Sequence, residues 1–325
     1  MRRILALAFA LACAWQAGAA EQVGGSRAFS FVALGDVPYD VPADYAKFDR
    51  LIAAINTLAP AFSIHVGDIK QGRAACTDDA FKKVYDQFQT FAQPLIYTPG
   101  DNEWTDCHRN TTDPRDPRER LAKLREMFFA RPDRSLGRTP MPVESQGLVM
   151  PAYANYVENA RFAKNDVLFV TLDIPGSNNG FEPFDPQAPL EYFDRNRANL
   201  AWMADSFRKA RETNARAVVL SFQANLHDIR DTENTVPPAS GFRDTINAIE
   251  AESKAFGKPV LLIQGDYHTL ELAGFRNVRM QLVPNVLRLQ VMGDTLVHAV
   301  RVIVDPDSPG VFGFVPLIVP ENGNF

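Results

Sequence analysis

The sequence has little of what marks several protein classes. Its 325 residues include only 3 cysteines, 19 glycines and 23 prolines, which excludes a small disulfide-rich scaffold and a collagen-like chain. Hydrophobic residues make up 46% and charged residues 22%, whereas a disordered chain would be poorer in the first and richer in the second. With 34 basic against 39 acidic side chains and no block of lysine and arginine, it lacks the basic face that nucleic-acid phosphates require. We therefore expect a folded protein with a sizeable core and no nucleic-acid partner.

Signature motifs of four enzyme classes are also missing. The sequence contains no G-x-S-x-G, no G-x-x-x-x-G-K-[ST], no H-E-x-x-H and no G-x-G-x-x-G. These absences disfavour an α/β-hydrolase, a P-loop nucleotide hydrolase, a zinc metalloprotease of that type and a dinucleotide-binding enzyme.

No stretch of the chain stays apolar for the roughly 20 residues that a membrane span needs. The apolar run Ile4–Trp15 is shorter than that. It follows Arg2 and Arg3 and precedes small residues that end at Ala20. This order is typical of a cleavable secretory signal peptide over residues 1–20, although an uncleaved anchor or a buried helix would also fit. We predict cleavage near the end of this segment, at Ala19 or Ala20, and a periplasmic or secreted protein without a membrane span.

Export changes the interpretation of the cysteines. Once the signal peptide is removed, Cys76 and Cys107 remain in an oxidising compartment. We predict a disulfide between them, joining the loops Lys70–Asp78 and Glu103–Arg118. Two free thiols or metal ligands are the alternatives, but the pair lacks the C-x-x-C spacing of a zinc site.

Short apolar runs alternate with amphipathic segments, which indicates an α/β fold. Because strand–helix–strand alternation favours parallel pairing, we expect one domain over residues 29–325, after a short lead at 21–28, with a mixed sheet or two stacked sheets. The predicted strands are Phe29–Leu34, Phe62–Val66, Pro94–Thr98, Ala152–Val157, Val167–Leu172, Ala217–Phe222 and Pro259–Ile263. The predicted helices are Ala43–Leu58, Asp79–Phe91, Leu121–Phe129, Tyr192–Glu212 and Phe242–Ala255.

The connecting segments are predicted in the same way. Polar and proline-rich composition predicts loops at Arg131–Pro151 and Gly176–Ala188. Near the end of the chain, Val286–Val291 and Leu296–Val304 flank Gly293-Asp294, which predicts an antiparallel hairpin with a turn that carries no chemistry.

Gly-Asp pairs recur where predicted strands end. Ligands of open α/β sheets bind outside the carboxyl ends of the strands, so these aspartates are expected to face one site. Several carboxylates gathered there would repel one another unless a cation neutralised them, which predicts a metal site. A single Gly-Asp is also a common turn, so the argument depends on all four together. The four pairs are Gly35-Asp36, Gly67-Asp68, Gly100-Asp101 and Gly265-Asp266.

Together with one further segment, these pairs resemble the five ligand motifs of the calcineurin-like metallophosphoesterases. Those motifs are D-x-H, G-D-x-x-D/N, G-N-H-E/D, a lone histidine and G-H-x-H, and their order and rough spacing are matched here. The resemblance implies an α/β fold of two stacked mixed β-sheets flanked by helices, with metals at one end. The matching segments are Gly35-Asp36-Val37-Pro38-Tyr39, Gly67-Asp68-Ile69-Lys70, Gly100-Asp101-Asn102-Glu103, Ser221-Phe222-Gln223-Ala224-Asn225 and Gly265-Asp266-Tyr267-His268.

Two of the motifs depart from the family near the start of the chain. Pro38 stands where the first motif has its histidine, and Tyr39 beside it offers an oxygen. In the third motif, Asp101 takes the place of the asparagine ligand and Asn102 that of the catalytic histidine. A shift of one residue would make Asn102 the ligand instead.

The last two motifs depart as well. The lone histidine is absent, which leaves Gln223, Asn225 or, at a stretch, His227. Asp266 replaces the first histidine of the last motif, and His268 keeps the second. Because the resulting set is rich in oxygen, we expect one or two divalent ions of Mn, Mg, Ca or Fe rather than Zn. The implied ligands are Asp36, Asp68 and His268 for one ion and, for a second, Asp68, Asp101 or Asn102, Asn225 and Asp266.

A metal in such a cluster lowers the pKa of bound water and polarises a phosphoryl oxygen. The resemblance therefore implies an exported, metal-dependent phosphoesterase that cleaves a small phosphate mono- or diester by attack of metal-bound hydroxide. The alternative is a catalytically degenerate relative that keeps the fold and binds a ligand or partner. The candidates for the catalytic role of the missing histidine are Asn102, His108 and His227. The candidates for binding substrate phosphate, or for plain solvated surface, are Lys70, Arg73 and Arg109.

Overall fold

Two mixed β-sheets form the centre of the protein. The computed structural model describes residues 24–182, 185–227 and 235–323, so the predicted signal peptide lies outside the described residues. The five-stranded sheet has the order β12-β11-β1-β2-β3 and the seven-stranded sheet the order β4-β5-β6-β7-β8-β10-β9. The strands are β1 (Phe29–Leu34), β2 (Ser63–His65), β3 (Leu95–Tyr97), β4 (Glu144–Ser145), β5 (Ala160–Lys164), β6 (Val167–Thr171), β7 (Ala217–Ser221), β8 (Val260–Gln264), β9 (Glu271–Arg276), β10 (Leu282–Gln290), β11 (Ala299–Val304) and β12 (Phe312–Leu317).

Helices cover the sheets and bury one apolar face each. In the helix that follows β1, Phe48, Leu51, Ile52 and Ile55 are buried at the 3.6-residue spacing of an amphipathic helix. Helix starts carry their usual signals, such as the Thr77 side chain, which accepts a hydrogen bond from a backbone N–H in the first turn. The helices are α1 (Tyr45–Leu58), α2 (Asp78–Phe88), α3 (Pro117–Phe128), α4 (Gln146–Val149), α5 (Gly176–Asn179), α6 (Ala188–Glu212) and α7 (Arg243–Phe256).

The two sheets pack face to face on a shared apolar layer. Phe31 of β1 stacks on Phe62 at a ring distance of 5.1 Å, and Phe62 meets Phe169 of the other sheet edge-on at 5.0 Å. Val219 and Leu261 complete the layer from the seven-stranded sheet. The predicted fold of two stacked mixed sheets flanked by helices is therefore confirmed.

The pairing directions bring many strand ends to one place. In the five-stranded sheet β1, β2 and β3 are parallel, and in the other sheet β6, β7, β8 and β10 are parallel. The carboxyl ends of parallel strands lie at one edge of their sheet. Each of these seven strands is followed by a loop at such an edge.

The predicted hairpin near the end of the chain is wrong. The first predicted strand lies in β10, which pairs with β8 and β9, whereas the second lies in β11, which pairs with β1 and β12. Gly293-Asp294 therefore connects the two sheets instead of closing a turn between neighbouring strands. A short glycine-containing link has the same sequence pattern whether it closes a hairpin or connects two sheets, because the sheet that a strand joins depends on long-range pairing.

The predicted strand Ala152–Val157 is also wrong, since this segment forms a 3-10 turn and irregular backbone. The strand lies further on, at β5, and joins β6 through Asn165 and Asp166. Both residues have positive φ, at 46° and 62°, as in a type I′ two-residue hairpin. The Asn-Asp pair was the sequence signal for this hairpin. The predicted loop 131–151 similarly contains the short elements β4 and α4.

No helix within the described ranges combines the length and apolar character that crossing a bilayer requires.

The predicted disulfide is present. The Cα atoms of Cys76 and Cys107 are 5.7 Å apart, and both side chains are buried. The bond fixes the segment before α2 to the turn that follows β3.

Removing this disulfide is expected to destabilise the protein. A cross-link that closes a loop of this length lowers the entropy of the unfolded chain by about 3–4 kcal/mol at room temperature. The double variant Cys76→Ala/Cys107→Ala should lose a free energy of unfolding of that order in urea denaturation, and reduction of the wild type should give a similar loss. A change under about 1 kcal/mol in both experiments would contradict a stabilising role.

Candidate metal centre

Three predicted ligands meet where β1, β2 and β8 end. One ligand atom each from Asp36, Asp68 and His268 lies within 4.8 Å of the other two. His268 Nε2 lies 3.6 Å from Asp36 Oδ1. Both aspartates are buried, and the His268 side chain is about a quarter exposed. Two carboxylates and an imidazole at this spacing are a donor set suited to a divalent cation.

The backbone is strained at these ligands. Asp36, Asp68, Asp266 and His268 all have positive φ, between 52° and 77°, a region that costs a non-glycine residue about 1–3 kcal/mol. The strain occurs in each case directly beyond a strand end, where the chain must turn sharply. This shared conformation directs the side chains toward the space between the two sheet edges.

Two glycines leave room for the carboxylates. A Cβ on Gly100 would lie less than 3.0 Å from Asp68 Oδ1, and one on Gly265 less than 3.0 Å from Asp36 Oδ2. Real Cβ atoms almost never come that close. The glycines of these two Gly-Asp pairs therefore make space for the aspartate of another pair.

Asp36 carries an oxygen suited to a cation. Its Oδ1 accepts a hydrogen bond from Asp266 N at 3.0 Å, but its buried Oδ2 has no hydrogen-bond partner. Burial, followed by repulsion from Asp266, raises the pKa of Asp36 well above its usual value. A buried carboxylate oxygen without a donor is costly unless a proton or cation neutralises it. Because Asp36 Oδ2 lacks a donor, the site around Asp36 fits a divalent cation.

Asp68 is held by three donors. Asn102 N donates to Oδ1 at 3.1 Å, while Asn102 Nδ2 at 2.7 Å and Gln223 Nε2 at 3.2 Å donate to Oδ2. Burial, then repulsion from Asp101 and Asp36, raises the pKa of this carboxyl. Asn102 therefore orients Asp68.

His268 is held as a neutral ring beside Tyr39. The two rings meet edge-on with centroids 4.6 Å apart, and burial lowers the pKa of His268 below its usual value. A lowered pKa means that the imidazole is uncharged at neutral pH, which is the form that binds metals. The Tyr39 hydroxyl accepts a hydrogen bond from Asn102 Nδ2 at 3.3 Å. Tyr39 therefore contacts both the His268 ring and Asn102, which donates to Asp68.

Asp101 lies on the other side of Asp68 and contacts the loop after β6. Its Oδ2 accepts a hydrogen bond from Ser177 Oγ at 2.6 Å, whereas its buried Oδ1 has no partner. Ser177 Oγ also lies 2.8 Å from Asp106 Oδ1, and burial followed by repulsion from Asp101 raises the pKa of Asp106 to about 7. Asp101 Oδ1 is thus, like Asp36 Oδ2, a buried carboxylate oxygen that accepts no hydrogen bond.

Of the two amides predicted after β7, Gln223 contacts the cluster and Asn225 does not. The Asn225 side chain donates to Gln290 Oε1 at 3.1 Å and accepts from His227 N, so the structure does not direct it to Asp68. Its backbone N–H donates to Asp266 Oδ2 at 2.9 Å. Asn225 thus orients Asp266.

Neither histidine predicted for catalysis contacts the carboxylates. His227 Nε2 is 3.0 Å from the carbonyl oxygen of Arg276, its ring packs on Phe275, and burial lowers its pKa to about 4. His108 Nδ1 is 2.7 Å from the carbonyl oxygen of Thr105, and the residue is exposed on the turn after β3. Both rings are therefore held by neighbouring backbone carbonyls, and their catalytic roles stay predictions.

The three predicted phosphate-binding cations differ in position. Lys70 is buried and donates to the carbonyl oxygens of Asn102 and Gln71, so it is not open to a substrate. Arg109 is half-exposed, pairs with Asp106 and donates to Ser177 Oγ at 3.1 Å. Arg73 is exposed and shares the wall of an open cavity with Arg109.

Sequence reasoning missed the structural role of Glu103. This buried carboxylate accepts hydrogen bonds from Gly100 N at 2.7 Å, Tyr97 Oη at 2.8 Å and Asp68 N at 3.2 Å. It thereby joins the loops that carry Asp68 and Asp101. The signal was present, because the third family motif ends in an acidic residue.

Gly293-Asp294, predicted as a hairpin turn that carries no chemistry, lies against the candidate ligands. Asp294 N donates to the carbonyl oxygen of Asp36 at 3.0 Å, and Gly293 N donates to that of His268 at 3.1 Å. A Cβ on Gly293 would overlap the Asp36 side chain. The link between the sheets therefore forms part of the wall of the centre. His65, at the end of β2, is buried, and its Nε2 lies 2.7 Å from the carbonyl oxygen of Val37.

No protein-family model matches the sequence, and no curated protein matches it in sequence. Among solved structures, the chain resembles a dimetal phosphatase from Danio rerio, with a TM-score of 0.52 and 13% identity over 89% of this chain and 98% of that one. It also resembles GAP50, the anchor in the inner membrane complex of Plasmodium (TM-score 0.47, 12% identity, 90% of this chain and 89% of that one). A third is the purple acid phosphatase PPD1 from yellow lupin, Lupinus luteus (TM-score 0.46, 11% identity, 92% of this chain and 55% of that one). Given the first of these matches and the two facing sheets, this chain shares the fold of that dimetal phosphatase.

Proposed function

We propose that this protein is an exported, metal-dependent phosphoesterase that hydrolyses a small phosphate mono- or diester. The observation that carries the proposal is the cluster of Asp36, Asp68 and His268, whose ligand atoms lie within 4.8 Å of one another. Such a cluster, on a fold shared with a dimetal phosphatase, supports metal binding and phosphate-ester chemistry at the same strand ends.

Asp36, Asp68 and His268 would hold one divalent cation, and Asp68 with the free Oδ1 of Asp101 would contribute to a second. When bound, such a cation lowers the pKa of coordinated water and polarises a phosphoryl oxygen. The carboxylates themselves favour an oxygen-loving ion such as Mn²⁺ or Mg²⁺. Gln223 and Asn102 orient Asp68 for this role.

Arg109 is the chain's own candidate for binding the substrate phosphate. Its guanidinium is fixed by Asp106 and Ser177, and Ser177 in turn contacts Asp101. A guanidinium held next to the cation site can pair with phosphate oxygens in a fixed orientation. Arg73 at the rim would add a second positive charge.

A catalytically inactive binding protein is the second candidate. The observation that favours it is that Asn102, which stands at the position of the catalytic histidine, donates to Asp68 and Tyr39. His108 and His227 are bonded to backbone carbonyls. Such a protein would keep the cation and bind a phosphate ligand without cleaving it.

Metal content and turnover together distinguish the two functions. The protein produced in an oxidising compartment would be stripped with chelator, reloaded with Mg²⁺, Mn²⁺, Ca²⁺, Fe²⁺ or Zn²⁺, and assayed on nitrophenyl phosphate and bis-nitrophenyl phosphate. We expect at least one equivalent of metal and metal-dependent release of nitrophenol from one of the esters. Bound metal without cleavage of either ester would favour the binding protein, and absence of bound metal would contradict both functions.

Export and domain limits are part of the proposal. The basic and apolar segment at residues 1–20 supports a signal peptide, and the disulfide between Cys76 and Cys107 fits an oxidising compartment. We propose one domain over residues 29–325, preceded by a short lead at 21–28.

A further inference from the structure

A cavity of about 360 Å³ opens next to the candidate metal centre. Its walls come from the turn after β3, the start of α3, the loop after β6 and the start of α6. This volume is within the range of about 300–1,000 Å³ that is usual for small-molecule sites. Three apolar side chains form part of the lining: Trp104, Pro117 and Ala188.

One residue joins the cavity to Asp101, the candidate ligand of a second cation. Ser177 lines the cavity, and its hydroxyl group lies 2.6 Å from Asp101 Oδ2 and 2.8 Å from Asp106 Oδ1. Arg109, the candidate phosphate ligand, also lines it. A phosphate held by Arg109 at the cluster would therefore have the cavity directly beside it.

The charges on the cavity wall are largely neutralised by one another. Arg118 pairs with Asp185 at 2.7 Å, Arg109 pairs with Asp106, and Glu191 pairs with the buried Arg195 at 2.8 Å. Beyond Arg109, which a phosphate at the cluster would use, the cavity wall has Arg118, and Asp185 already pairs with it, so a second phosphate would find no free arginine among these lining residues. Apolar walls and paired charges favour an uncharged organic group instead.

We propose that this cavity binds the organic group of the substrate, so that the preferred substrates are phosphate esters of bulky, apolar alcohols or phenols. This inference rests on the proposed phosphoesterase function. In the reaction, water forms a new bond to phosphorus, the bond between phosphorus and the ester oxygen breaks, and the alcohol leaves with a proton that water supplied. The cavity holds that alcohol before and after the step.

Selectivity between two matched esters tests the inference. Naphthylethyl phosphate and ethyl phosphate release alcohols of similar acidity, so a difference in kcat/KM reports contacts with the organic group. We expect the naphthylethyl ester to be preferred at least about tenfold by the wild type. In the variant Ala188→Phe, which fills part of the cavity, the preference should fall to about twofold or less, while kcat/KM for ethyl phosphate stays within about twofold.

Ala204→Phe is the matched control, because Ala204 is exposed on the same helix and does not line the cavity. This variant should keep the wild-type preference. Saturation-transfer NMR with naphthylethanol alone gives a readout without turnover: binding should be seen for the wild type and Ala204→Phe and be lost in Ala188→Phe.

Equal turnover of the two esters by the wild type, or equal naphthylethanol binding by all three proteins, would overturn the inference. Should the wild type cleave neither ester with any metal, the phosphoesterase function would fail. The alcohol titration would then still decide whether the cavity binds an apolar group.

Discussion

Replacing Asp68 by asparagine is expected to abolish both metal binding and ester hydrolysis. Asp68 belongs to the ligand cluster with Asp36 and is repelled by both Asp36 and Asp101, so the proposal gives it a part in both cation sites. Its loss should lower turnover by about 10³-fold or more, because the cation can no longer be held against the phosphate. Metal affinity measured by calorimetric titration should fall beyond detection at micromolar protein.

The same variant should remain folded, which separates a site effect from unfolding. An amide at position 68 keeps an acceptor for Gln223 and removes the repulsion from Asp36 and Asp101. For the wild type, metal at about 100 times its dissociation constant should add about 2.7 kcal/mol of stability and raise the melting temperature by about 5 °C or more. Asp68→Asn should show no such rise.

Asp173→Asn is the matched control for this experiment. Asp173 is also a fully buried carboxyl with a raised pKa, caused mainly by burial, but it lies outside the ligand cluster. Its variant should keep the metal-induced rise in melting temperature. A normal rise in Asp68→Asn, or its loss in Asp173→Asn, would contradict the assignment of the ligands.

Replacing Gly265 by alanine is expected to disable the centre without removing a ligand. The added Cβ would overlap Asp36 Oδ2, and the other close atoms also belong to the Asp36 carboxylate, so this side chain must move. A displacement of about 1 Å costs an active site about 10²-fold in rate, and we expect a loss of that size in kcat/KM. The free energy of unfolding should fall by only about 1–3 kcal/mol.

Gly310→Ala provides the control, because no atom lies within 4 Å of a Cβ at that position. It should leave rate and metal affinity unchanged. If Gly265→Ala kept wild-type turnover, Asp36 would not need its present position, and the proposed ligand geometry would be contradicted.

The sequence predicts well what depends on neighbouring residues. The strands that precede the first three Gly-Asp pairs are found within about two residues of their predicted limits, because short apolar runs closed by glycine or proline are local signals. The approach of Asp36 and Asp68 follows from the same signals, since β1 and β2 are parallel and end at one edge of their sheet, whereas His268 reaches them through the packing of the second sheet. Their role as metal ligands stays a prediction.

Side-chain direction and long-range pairing could not be predicted in this way. Gln223 and Asn225 both follow β7, and only their partners in space, the N–H of Gly176 and the amide of Gln290, decide which of them contacts Asp68. The burial of Lys70 likewise depends on the carbonyl of Asn102, which lies 32 residues further along the chain. Such contacts leave no trace in a local pattern.

The most direct test of the account is anomalous X-ray diffraction from crystals of the protein grown with Mn²⁺. The account predicts a manganese peak at coordination distance from Asp36, Asp68 and His268 at once. A map with no peak between these three side chains, recorded at saturating Mn²⁺, would contradict it.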